Sequence, residues 1–352
     1  MPPRFSTSWL SAGFAFAMGL AITAFCLRRH GFPDFEVFWT AARHAHDALL
    51  YDGPHLTAAQ RWCPGDGARP FIYPPTFLPI IYPFGLLPFL PAHYLWVGLS
   101  CAAFVLAAGL LVKPRWAAIL LPLTFPVSLA AAYGQSVLLA GAGLVAGTAL
   151  LGRRPVLAGA LIAAAACIKP QLMLLSPLLL MGSWPAIGGA AAGGGALVLA
   201  SLAFGPHRWI EWLDALPQFE RTVRQMPLHF INPLNPGLDL PLKLVIAGAG
   251  VAFALWSLRR PAAERIVGVA AGSLCCSLYA VRPDLAIFAP SALVFVLGKR
   301  TPAAWLRRLA GVAMLSGLVA APVGLVTFML AMAVAGVPAL EQGFSSRSPR
   351  AA

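Results

Sequence analysis

The feature that most constrains this chain is where its charges do not go. Residues 9–27, 74–91, 94–112, 116–132, 137–152, 156–168, 172–184, 185–204, 240–258, 266–281, 285–297 and 309–340 are apolar runs, and no acid lies in the middle of any of them. Several approach the roughly 20 residues a helix needs to cross a bilayer. In lipid the backbone must satisfy its own hydrogen bonds, which a helix does within one segment. Only 11% of the residues are charged and 59% are hydrophobic, whereas a soluble domain carries about 25% charged residues. The expectation is an all-α, polytopic membrane bundle of about 12 crossings, within a range of about 10–13. It forms one domain over residues 1–340, followed by a short polar tail at 341–352. Arg28, Arg29 and His30 close the first run where a signal peptide would offer small residues, so that run reads as an uncleaved span.

The net charge of +13 would suggest nucleic acid in a soluble protein. Here the basic residues sit in short loops, so positive-inside bias accounts for them and no nucleic-acid partner is expected. The loops holding Arg153/Arg154, Arg259/Arg260/Arg265 and Lys299/Arg300/Arg307/Arg308 define the inside. Ten of the twelve acids then fall outside, all but Glu264 and Glu341. The outer loops are 28–75 and 205–240, with the span ends 134–136, 169–171 and 282–284. Parity fails at one place. Three apolar runs separate residue 75 from residue 134, both outside, so either 74–91 or 116–132 must not cross.

Residues 32–52 follow the first run and carry Asp34 and Glu36. Phe35, Phe38, Trp39, Ala42, His46 and Leu49 recur at steps of three and four, with Glu36, Thr40, Arg43 and Asp47 opposite. This predicts an amphipathic interfacial helix over 35–50. Asp34 reads either as its N-cap or as a partly desolvated general base. Lys169-Pro170 reads as a snorkelling lysine before a helix start or as a phosphate contact at a helix N-terminus. Gln135 is a neutral donor and acceptor at a span end. Arg282 reads as an ion-pair partner of Asp284 or as a clamp on an anionic lipid head. Arg208 lies in the large loop, where solvated surface is the usual fate. Tyr73 is either part of an interfacial belt or a sugar-stacking ring. The six cysteines show no metal or redox spacing and read as small apolar packers.

Acids at mid-membrane, which a proton- or ion-coupled transporter usually needs, do not occur. Polar groups gathered on one face suit an enzyme whose cavity opens at one membrane surface. A transporter of lipid-linked sugars and a non-catalytic scaffold remain the other readings.

A family resemblance sharpens this. Asp34-Phe35 with aromatics and Ala41-Ala42, closing in Leu50-Tyr51-Asp52, resembles glycosyltransferase family 87. So do Phe71-Ile72-Tyr73-Pro74-Pro75, Leu95-Trp96, Gly134-Gln135, and Ala158-Gly159 followed by Lys169-Pro170. The resemblance covers about residues 10–240. It implies a C-type glycosyltransferase architecture and a polyprenyl-phosphate hexose donor, mannose by family habit, with a lipid or glycan acceptor. It further implies an active site on the outer face of the inner membrane, with Asp34 as base of an inverting transfer. Lys169, Arg282 and Arg208 would hold the phosphate, and Glu36, Tyr73 and Gln135 would line the cavity. No nucleotide loop and no Asp-x-Asp motif occur, so neither cofactor nor metal is expected for the chemistry.

Overall fold

A computed structural model describes residues 33–47, 50–62, 69–225, 240–277, 281–297 and 304–315, with 21, 24 and 25. The described residues are helices joined by short 3-10 segments and turns. The helices are α1 (Pro33–Arg43), α2 (Gly53–Ala59), α3 (Leu78–Gly85), α4 (Phe89–Ala108), α5 (Phe125–Tyr133), α6 (Val137–Leu150), α7 (Pro155–Ile168), α8 (Trp184–Ser201), α9 (His207–Gln225), α10 (Leu240–Ser257), α11 (Ala262–Cys276), α12 (Ala289–Leu297) and α13 (Ala304–Leu315). The expected first span at 9–27 lies almost wholly outside the described residues, as does most of the last at 309–340.

Among the described residues three helical stretches are long and apolar enough to cross alone, Phe89–Ala108, Trp184–Phe204 and Leu240–Ser257. A fourth is a broken pair, a 3-10 helix Arg115–Leu123 meeting α5 at 62°, with Pro122 and Pro126 flanking the break. Helices α6 and α7 have 14 residues each, about 21 Å of rise. Among the described residues there are therefore fewer full-length spans than the apolar runs suggest, with shorter and broken pieces making up the rest.

The parity problem resolves in this geometry. Residues 74–91 form a 3-10 turn at Pro75–Phe77, the eight-residue α3 and a turn into α4. At about 12 Å, α3 is too short to cross. With α3 set aside, α4 is the inward pass and the broken pair returns the chain to the level of its start. The Trp96 indole near the start of α4 donates to the Gly134 carbonyl at the end of α5, 2.8 Å away, so those two levels coincide.

Helices α7 and α8 run parallel, with Val156 against Gly189 and Ala160 against Gly193. The backbones touch. A Cβ on Gly159 would stand 1.8 Å from the Ala186 carbonyl oxygen, and one on Gly189 would stand 1.9 Å from that of Val156. Small residues at a membrane helix interface permit this approach. A parallel pair needs a return between its members. Residues 170–183 supply it as 3-10 segments at Pro170–Leu172 and Ser176–Leu180, where the sequence predicts a helical span over 172–184.

Helix α1 is present but ends at Arg43, short of residue 50, and is more enclosed than its amphipathic pattern predicts. Phe35 and Phe38 are buried, and so are Glu36 and Thr40 on the opposite side. Phe38 packs edge-on against Tyr73 at 4.9 Å, Phe77 at 5.2 Å and Trp96 at 5.9 Å between ring centres. That aromatic knot fixes the entry angle of α1, and Asp34 with it.

Candidate functional site

Asp34 lies inside the first turn of α1 rather than in front of it, so the helix-cap reading gives way to a tertiary contact. Its carboxylate accepts a hydrogen bond from Gln135 Nε2 at 2.7 Å. Gln135 is aimed there by a left-handed turn. Gly134 ends α5 at φ +67 and ψ +31, a conformation that costs a residue with Cβ about 1–2 kcal/mol. A Cβ on Gly134 would also sit 2.6 Å from that of Phe35, the neighbour of Asp34. Gly134→Ala is expected to lower stability by about 2–4 kcal/mol, strain and overpacking together. It should also cut activity by pushing Asp34 off Gln135. Thermal melts in detergent and turnover measured side by side check this.

The amide oxygen of Gln135 accepts from Lys169 Nζ at 3.0 Å. Lys169 stands at the C-terminal end of α7, 1% exposed, and pairs with Asp284, 0% exposed. Asp284 is oriented in turn by its second oxygen, which accepts the Val281 backbone N–H at 3.0 Å. The result is one continuous relay, Asp34–Gln135–Lys169–Asp284, drawn from four distant parts of the chain. Tyr73 closes one side. Its phenol oxygen accepts from Ser136 Oγ at 3.1 Å, and its carbonyl accepts from Tyr51 at 3.0 Å.

Burial pushes the Asp34 carboxyl up to about 6, although the Gln135 hydrogen bond and the Lys169 charge pull the other way. Burial alone would depress the Lys169 ammonium, but Asp284, with Tyr73 and Asp34 behind it, holds it above its ordinary value. Tyr73 is pushed up by burial and stays neutral. The site thus pairs a carboxyl that titrates near neutrality with a permanent cation one amide away. That combination can accept a proton at one point and hold an anion at another.

Of the residues expected at the site, the structure brings Asp34, Tyr73, Gln135 and Lys169 together. Glu36 is buried elsewhere on α1, where it accepts the Trp62 backbone N–H and faces Arg69 at 3.6 Å. It ties down the loop after α2. Arg208, also buried, donates to Glu211 at 2.7 Å and to the Phe204 carbonyl at 3.3 Å. It reaches the relay only indirectly, through its charge on Tyr51. The backbone of Arg282 opens the 3-10 segment Arg282–Phe288, and its side chain lies outside the described residues. The sequence reading did not place Asp284 in the site. The signal was there, since an acid at the head of one apolar run can neutralise a lysine at the foot of another, but no local spacing joins the two.

An apolar cavity of about 740 Å³ opens between α4, α6 and α7, with Ala103, Leu106, Leu139, Ala142, Ala165 and Ile168 in its wall. Ile168 in that wall precedes Lys169 in the chain, and the relay residues themselves do not line the cavity.

Comparison with known families finds one match. The family model described as glycosyltransferase family 87 covers residues 71–287. No curated protein and no solved structure matches the chain. The matched segment holds Tyr73, Gln135, Lys169 and Asp284, while Asp34 lies before it.

Proposed function

Because the chain belongs to glycosyltransferase family 87, we propose that this membrane glycosyltransferase moves a hexose, mannose in the first instance, from a polyprenyl-phosphate donor to an envelope lipid or glycan. Asp34 takes the proton of the acceptor hydroxyl. The hydroxyl oxygen bonds to the anomeric carbon as the carbon–oxygen bond to phosphate breaks, and the sugar inverts. Polyprenyl phosphate leaves with the bonding pair. Lys169 has three N–H donors, two of them engaged with Gln135 and Asp284, and it offers the third to the departing phosphate. The reaction runs on the outer face of the inner membrane and needs no metal at the reacting atoms. Glu36 and Arg208 keep no direct part in the chemistry as we draw it.

The observation that carries this reading is the bond from Asp34 to Gln135. Gln135 donates to this acid outside the matched segment and accepts from the cation Lys169 inside it. The apolar cavity that reaches Ile168 supports a lipid-linked donor, since its mostly aliphatic lining suits an isoprenoid chain and not a nucleotide.

The test is transfer from synthetic polyprenyl-phosphate mannose, and from the glucose analogue, to a membrane lipid and glycan extract, with the product identified by mass. Labelled product supports the proposal. Translocation of the donor across liposomes with no product would replace it with a transporter. The pH profile is a second check. The base must be ionised, so kcat/KM is expected to be flat above about 7 and to fall tenfold per unit below about 6.

A further inference from the structure

We propose that His44, Asp47 and His55 form a binding site for one divalent metal ion of the zinc class, in the outer loop beyond α1 and apart from the transfer chemistry. The three side chains come from two elements. His44 and Asp47 occupy the turn that ends α1, and His55 stands in the first turn of α2. Their ligating atoms all lie within 4.8 Å of one another. His44 Nδ1 is 3.0 Å from Asp47 Oδ2, and His55 Nε2 is 3.9 Å from the same oxygen. Ligands bonded tetrahedrally at about 2.0–2.2 Å stand roughly 3.3–3.6 Å apart. The two spacings to Asp47 bracket that range, and an ion would draw the two imidazoles, within 4.8 Å of each other, toward it.

The donor set is two imidazoles and one carboxylate. It suits zinc and its neighbours and does not suit calcium or magnesium, which take oxygen ligands. Each side chain is 34–40% exposed, so an ion can reach the cluster from the aqueous side, with a fourth position left for water. The surroundings orient the ligands. The Asp52 carboxylate accepts the His55 backbone N–H at 2.9 Å and caps α2, which sets the direction of His55. The nearby cation Arg43 is held elsewhere, its guanidinium 5.0 Å over the Trp39 ring and donating to the Gly85 carbonyl at 3.5 Å.

An ion here would clasp the end of α1 to α2. Thr57 of α2 accepts the Arg69 backbone N–H at 3.0 Å, and Arg69 faces Glu36 on α1. The clasp would therefore close a ring of contacts around the loop beside Asp34.

The experiment uses full-length, tag-free protein in detergent, stripped with chelator and titrated with Co²⁺ and then Zn²⁺. One Co²⁺ per chain is expected, with the visible bands of a four- or five-coordinate centre, displaced by one Zn²⁺. Zn²⁺ should raise the melting temperature of the wild type. His44→Ala and His55→Gln should each weaken binding by more than the 10–100-fold that loss of an outer-shell partner costs, and should lose the thermal shift. Both variants should melt where the chelated wild type does, which shows that they fold. No stoichiometric binding in the wild type would overturn the proposal, as would unchanged binding in both variants.

Discussion

Asp34→Asn is expected to lower turnover by about 10²–10⁴-fold, the range a positioned general base supplies, while the protein keeps its fold. Asparagine has the same shape and can still accept from Gln135, so the relay survives and only the proton acceptor is lost. The sign of the stability effect follows from the same burial. The carboxyl of Asp34 is raised from 3.8 to about 6, so the folded state favours its protonated form. That contribution is complete below about 3.8 and is lost as pH rises through about 6. At neutral pH the asparagine variant should melt at the wild-type temperature or above it. Glu36→Gln should behave in the opposite way. It weakens the contact to Arg69, lowers stability by roughly 1–3 kcal/mol, and leaves turnover in the folded fraction. Full turnover in Asp34→Asn would assign the base elsewhere, and loss in Glu36→Gln at unchanged stability would move the role to Glu36.

The second large effect is at Lys169. Lys169→Met takes from Asp284, 0% exposed, its ion-pair partner among the described residues, and breaking a buried pair this way costs about 3–5 kcal/mol. Asp284→Asn in the same chain removes the stranded charge. The asparagine oxygen can still accept from the Val281 N–H. The double variant is expected to recover most of the stability, as coupled neighbours do in a mutant cycle, and to remain inactive because no cation faces the leaving phosphate. Recovery of turnover along with stability would make Lys169 a structural residue only. Thermal melts and transfer rates on the four proteins of the cycle decide between these outcomes.

Much of this was legible in the sequence. The apolar runs announce an all-α membrane body, and the one-sided acids put Asp34, Gln135, Lys169 and Asp284 at one level. The proline-rich 74–91 run and the broken 116–132 run were both suspect, and the eight residues of α3 show which one fails to cross. Other features were hidden for physical reasons. The return between α7 and α8 is as apolar as any span, so composition cannot tell a 3-10 path from an α-helix. The enclosure of α1 comes from Tyr73, Phe77 and Trp96, partners that no local pattern in 33–43 reveals. Glu36 reads like Asp34 two residues away, yet successive helical residues point about 100° apart. The step between them turns one acid into the site and the other onto a loop.

The pairing of Lys169 with Asp284 spans 115 residues, and this bears on how the protein is made. At about 5–20 residues per second, the ribosome finishes Lys169 on the order of ten seconds before its counterion exists. Through that interval the ammonium must stay at the membrane surface, reached by its own flexible stem. A chain ending before residue 284 has only Gln135 and the more distant Asp34 to set against this ammonium.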